Sequence, residues 1–339
     1  MRRAARAGML PCAVAFLLSS CNRDAPTAAD ASAPQASPTL TLATGGSCGT
    51  PPTHPGGIID KVDAPTPWGV AVRDDGLAFF TELYNGGVGI TSTKTRTVDG
   101  FIPTGEIPTG IAFSPDGATA YVANQYGQVS VLDVATQQVV GTIPVDNPLA
   151  VRVSPDGAQL FVATGGTTVY IVDIPTRQVV NSVEVGFAPN GFAVHPDGRM
   201  LYVSSFVGGT VSEIDMFTGT VLRTFEVGGT PQEMALNRKG TRLYVANEAG
   251  YLNEIELQSG QLAATIPLQG GGFGVGVTPD DGQAYVSIAF TGLVQVFSLQ
   301  SRSLTKTLDV GGDPRRIAFS QQGRVGAITN SAGYITFVR

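Results

Sequence analysis

Residues 108–147 read PTGIAFSPDGATAYVANQYGQVSVLDVATQQVVGTIPVDN. Four short runs of β-branched, aromatic and small apolar residues stand out, at 110–114, 120–124, 128–133 and 138–145. Polar and turn-forming residues separate them. Ser114-Pro115-Asp116-Gly117 has the chemistry of a type I turn, with proline pre-set at the second position and glycine at the fourth. Tyr126-Gly127 and Ala135-Thr136 break the next two junctions. Strand-length runs joined by tight turns predict a four-stranded antiparallel meander of about 41 residues.

The pattern recurs. A proline opens the first strand at Pro67, Pro108, Pro148, Pro189, Pro231 and Pro314, with Gly272 replacing it once. The turn after that strand follows in register, as in Pro155-Asp156-Gly157, Pro196-Asp197-Gly198 and Arg238-Lys239-Gly240. So does the second strand, as in Tyr121-Val-Ala-Asn124, Phe161-Val-Ala-Thr164, Tyr202-Val-Ser-Ser205 and Tyr244-Val-Ala-Asn247. There are seven units, and the first, with Phe80-Thr-Glu-Leu83, diverges most. The last has room for three strands. Residues 58–65 (IIDKVDAP) match the fourth-strand ends at 142–148 (TIPVDNP) and 224–231 (TFEVGGTP). The N-terminal strand is therefore expected to complete the last unit, which makes the chain an all-β, seven-bladed β-propeller. Closure removes the exposed strand edges that an open array would leave.

Tyr-Val-Ala-Asn, followed by Gly-x-Val-x-Val-Leu-Asp, Thr-Ile-x-Val, Pro and Ser-Pro-Asp-Gly, resembles the YVTN β-propeller repeat of the YncE-like exported propellers. The resemblance covers residues 58–339 and is specific for fold and repeat type. For function it implies several roles: surface-layer and periplasmic proteins, a DNA-binding member, and, among related propellers, lactonases, streptogramin lyases and haem domains.

The N-terminus carries an address. Arg2, Arg3 and Arg6 precede a short apolar run at 9–18, too short to span a bilayer. Leu18-Ser19-Ser20-Cys21 resembles the lipobox of bacterial lipoproteins, which implies cleavage before Cys21 and acylation of its thiol and amine. The alternative is an ordinary secretory signal with a chance cysteine. Asn22 after the cysteine leans toward the outer membrane, facing the periplasm or the cell surface. Three acyl chains would anchor the chain stably. Residues 1–20 are thus expected to be a signal peptide and residues 21–57 a lipidated, Ala/Pro/Ser/Thr-rich flexible tether.

The formal net charge is −6. Without the three arginines of residues 1–20, which include no acid, it is −9. That opposes nucleic acid as a general partner. Cys48 is the one cysteine left beyond the signal and the lipidated Cys21, and the Cys48–His54 pair falls short of the usual four ligands. No cofactor or metal site is expected. His195 lies in a turn on the face opposite the usual active site of propellers, so no imidazole is placed for haem ligation or Ser-His-Asp chemistry. Calcium could be sought at Glu82, Asn190 and Glu233, which match no lactonase motif.

Comparing repeats at one register singles out candidate ligand residues. Two positions after the opening proline the residues are Gly69, Gly110, Ala150, Gly191, Glu233, Gly274 and Arg316. Four positions after it they are Ala71, Ala112, Arg152, Ala193, Ala235, Gly276 and Ala318. Glu233, Arg316 and Arg152 break a pattern of small residues. The position at the mouth reads Trp68, Thr109, Leu149, Asn190, Gln232, Phe273 and Arg315, and the loops joining second and third strands add Tyr84, Tyr126, Phe206 and Phe290. Aromatic walls with a few convergent charges make a ligand site. A water-filled pore with ion pairs is the plainer alternative. The expected site comprises Arg152, Glu233 and Arg316 in the channel, with Arg315, Trp68, Asn190, Phe273 and Tyr126 around it. It suits a small anionic ligand or a protein or peptide partner. The function that follows is a non-catalytic binding or scaffold module in the cell envelope. The alternatives are a lactonase-type hydrolase or lyase and a DNA-binding protein.

Overall fold

The structure, a computed structural model, describes residues 57–320 and 322–339. The expectations for the signal segment, Cys21, residues 21–56 of the tether, Cys48 and His54 lie outside the described residues, whereas Gly57, expected in the tether, is buried and belongs to the propeller. Within them there is no helix, and 28 strands form seven four-stranded antiparallel sheets. The blades open with first strands Pro67–Val72, Pro108–Phe113, Pro148–Val153, Pro189–Val194, Pro231–Leu236, Gly272–Val277 and Pro314–Phe319. Each first strand packs against that of the next blade, and the seventh returns to the first, so the inner strands form a closed ring. The expected closure is present: Ile58–Asp63 pairs with Tyr334–Val338, Val62 opposite Ile335 and Lys61 opposite Thr336. Gly57 N–H donates to the Arg339 carbonyl at 2.7 Å.

Burial follows from the ring. A blade is covered on both faces by its neighbours, so its middle strands lose the apolar–polar alternation of a half-exposed sheet. In Thr119–Asn124 the last five residues are buried in a row, whereas the outer strand Gln178–Glu184 buries only Val183. The core consequently lies between blades. Tyr121, Val131 and Ile143 of blade 2 pack with Val151, Leu160 and Val162 of blade 3.

Polar groups in the repeat set the blades' spacing. In blade 6, Gly274 N–H donates to the Ser287 hydroxyl, which in turn donates to the Arg315 carbonyl on blade 7. Thr81, Ser204 and Thr329 make the same bridge from blades 1, 4 and 7. The small residues two positions after the proline follow from this close approach. A Cβ on Gly110 would sit 2.7 Å from Ala150 Cα, and one on Gly274 would strike the Arg315 carbonyl. The asparagine ending the second strand holds the incoming crossover: Asn247 Nδ2 donates to the Gly228 carbonyl and Thr230 N–H donates back to Oδ1, both at 2.9 Å. The Asp-Gly turns are self-capped as expected, with Ala118 N–H donating to Asp116 Oδ1 at 3.0 Å. His195 is more than a surface turn residue. Its Nε2 lies 3.0 Å from the Gly240 carbonyl of the next blade, and its Nδ1 pairs with Asp197.

Candidate ligand site at the channel mouth

The residues at the mouth of the inner strands gather with the loops between second and third strands. Arg315 is buried, and its guanidinium carbon lies 5.0 Å from the centre of the Trp68 ring and 4.8 Å from those of Phe273 and Phe290. Trp68 and Phe273 meet edge to face at 5.6 Å. Three ring faces around one guanidinium supply cation–π attraction, strongest where water is excluded. Asp313, just before the opening proline, pairs with Arg315 Nη2 and accepts from Phe290 N–H at 2.9 Å and from the Ser331 hydroxyl at 2.8 Å. Burial pushes Arg315 below the ordinary arginine range, and the charges of Asp313 and Glu248 oppose that shift.

One residue further along the strands, Arg316 of blade 7 pairs with Glu233 of blade 5 and donates to Asn190 Oδ1 of blade 4 at 3.0 Å. Blade 7 adjoins blades 6 and 1, so a side chain that reaches blades 4 and 5 lies across the channel. Asn190 Nδ2 donates to Gln232 Oε1, and Gln232 Nε2 donates to Glu248 Oε1 at 2.9 Å. A hydrogen-bonded chain thus runs from Glu248 at the mouth to the cation in the channel. Burial raises the Glu248 carboxyl, against the Gln232 hydrogen bond and the Arg315 charge. Arg152 of blade 3 donates through Nη2 to the Phe192 carbonyl at 3.1 Å. Burial, and then the neighbouring charge of Arg152, push Arg316 down to about 10. Burial also lowers Arg152.

The structure therefore brings together Arg152, Glu233, Arg316 and Asn190 in the channel, and Arg315, Trp68 and Phe273 at its mouth. Tyr126 stands apart. Its ring is 66% exposed and shares no hydrogen bond or ring contact with either group among the described residues. Glu82, Asn190 and Glu233 do not form one acidic set: Glu82 bonds Asn85 at 2.5 Å, while Asn190 and Glu233 are held by a cation. Among the described residues no group of three or more His, Cys, Asp or Glu is placed to hold a metal ion. Gln232, Glu248 and Asp313 join the site without having been candidates. A signal for two of them was present. Glu248 is the acid where other repeats carry Leu83, Gln125, Gly165, Phe206, Ala289 and Ser331, and Asp313 the acid where others carry Thr66, Ile107, Asn147, Ala188, Thr230 and Gly271.

Fold and site together define a seven-bladed β-propeller with a charged channel and an aromatic mouth. Among solved structures, a chain of the hydrazine synthase of Kuenenia stuttgartiensis is similar, with a TM-score of 0.75 at 21% identity over 82% of this chain and 96% of that one. At that identity the likeness is one of fold. No family model and no curated protein sequence matches the chain.

Proposed function

We propose that the protein is an exported lipoprotein of the YVTN-repeat type, anchored through Cys21 and tethered by residues 21–57. In this reading its propeller is a non-catalytic binding or scaffold module in the cell envelope. The mouth face is its recognition surface, and it takes an anionic small molecule or an acidic segment of a partner. One observation carries the reading: Arg316 crosses the channel to meet Glu233 and Asn190 with a second arginine, Arg152, close by. Charged side chains held in a closed channel are costly unless something compensates them, and below the mouth two arginines, Arg152 and Arg316, meet one carboxylate, Glu233. The lipobox and the short apolar run support the address.

Trp68 is the single tryptophan of the chain and sits at the mouth, which makes it a built-in reporter. Its emission should change saturably as acidic peptides and small anions are titrated into the purified protein. Turnover of lactone substrates, or a gel shift of DNA that weakens steeply with salt, would replace the binding-module reading. For the address, Cys21→Ala should release the protein from membranes, and unchanged detergent partitioning would remove the lipid anchor.

A further inference from the structure

Two guanidinium groups and one carboxylate share the channel below the mouth. Glu233 neutralises Arg316, while Arg152 is met by a backbone carbonyl, which carries no formal charge. The three groups sum to one positive charge. Arg152 Nε and Arg316 Nε are both buried and have no hydrogen-bond partner among the described residues. A buried donor left without an acceptor bears its full desolvation penalty. Two such donors, on two side chains that both reach the first strand of blade 4, Arg152 at the Phe192 carbonyl and Arg316 at Asn190 Oδ1, call for a shared acceptor. A metal cation would add to the charge surplus. A dianion would reverse it, leaving a net negative charge in the same enclosure. A single negative charge brings the sum to zero, and a carboxylate offers two oxygens for two N–H donors.

Resting on the reading above, we propose that the channel is a site for one monocarboxylate group, accepting hydrogen bonds from Arg152 Nε and Arg316 Nε while Glu233 and Asn190 hold Arg316 in place. The carboxylate could be a free small acid or the end of a peptide, and the test separates the two.

The full chain is titrated with sodium acetate and, at matched ionic strength, with sodium sulfate, while Tm and Trp68 emission are followed. A saturable change in Trp68 emission is expected with acetate, and with it a logarithmic rise in Tm, roughly 2–5 °C for each tenfold increase above its Kd, from ligand binding to the folded state alone. Arg152→Ala places there the alanine that most other repeats carry. It should abolish the acetate increment while holding Tm in sulfate at or above the parent's. Arg152→Lys keeps the charge without the Nε donor and should weaken the acetate response about tenfold, the factor that one hydrogen bond of about 1.4 kcal/mol would supply. A short peptide with a free C-terminus, compared with its amidated form, reads the second source. A response confined to acetate or shared with the free-terminus peptide supports the site either way. An equal acetate increment in Arg152→Ala overturns the proposal. A saturable response to sulfate that exceeds that to acetate and is lost in Arg152→Ala overturns the monocarboxylate but keeps an anion-binding channel. No response to any anion overturns both.

Discussion

Two carboxylates in this propeller are each met by arginine, and they differ in where the arginine's charge ends up. Glu254, between blades 5 and 6, is 2% exposed and is bonded by Arg242 and by Arg302, the latter at 2.8 Å. Those arginine side chains are 36% and 42% exposed, so the surplus charge there is shared with water. Glu213 on blade 4 is met by one such half-exposed arginine, Arg223, which also donates to the Leu257 carbonyl of blade 5. In the channel the order is reversed. Arg316 and Glu233 are 12% and 14% exposed, and among the described residues no carboxylate pairs with Arg152 beside them. The Glu254 set and the channel set each count two arginines to one glutamate. Solvation decides which is complete: the outer sets staple blade to blade, and the inner set is left one anion short.

The ring cut gives the largest expected effect. A chain beginning at Ala64, compared with one beginning at Gly57, loses the pairs that join Ile58–Asp63 to blade 7, each worth about 0.2–1 kcal/mol, and gains an open edge. Arg316 is on the opened blade, whereas Glu254 is not. Trp68 emission should therefore shift together with a marked fall in Tm. Equal melting curves for the two chains would mean that closure contributes nothing.

Breaking the inner pair from one side comes next. Arg316→Met leaves Glu233 buried without its partner and should cost about 3–5 kcal/mol in urea unfolding. Adding Glu233→Met should recover most of that, because the pair is then replaced by apolar groups of similar length. If the double variant were no better than the single one, the cost would lie in packing rather than charge.

The outer staple should respond more weakly. Arg302→Ala leaves Glu254 with Arg242, and the lost cation was partly solvated, so about 0.2–1 kcal/mol is expected. A loss as large as that of Arg316→Met would erase the distinction between the two regions.

The smallest effect belongs to a pair whose carboxylate is itself in water, 53% exposed. Arg73 bonds Asp75 in the turn of blade 1 and holds its carboxyl at about 2, below its ordinary 3.8. A depressed carboxyl stabilises the fold above its unfolded value and ceases to do so as pH falls through the folded one. The Tm difference between the parent and Arg73→Ala should be constant above about pH 4 and shrink toward pH 2. A difference that persisted below pH 2 would point instead to the Arg73 Nη1 hydrogen bond to the Gly117 carbonyl of blade 2, at 2.8 Å, and to the packing of its alkyl stem.

Local chemistry made the architecture legible. Turn signals at fixed spacing, a proline opening six of the seven first strands and the match of residues 58–65 to fourth-strand ends specify seven blades and their closure, because each depends on backbone conformation within a few residues. The register comparison also exposed Arg152, Glu233 and Arg316 as misfits among small residues. What it could not supply was which misfits meet. Arg316 and Asn190 are 126 positions apart in the chain, and only ring closure brings blade 7 opposite blades 4 and 5. The exposed place of Tyr126, the capture of Arg315 by three rings and the entry of Gln232, Glu248 and Asp313 were decided there too. Side-chain reach across a channel and the solvation of each charge are properties of the assembled ring, and no single repeat contains them.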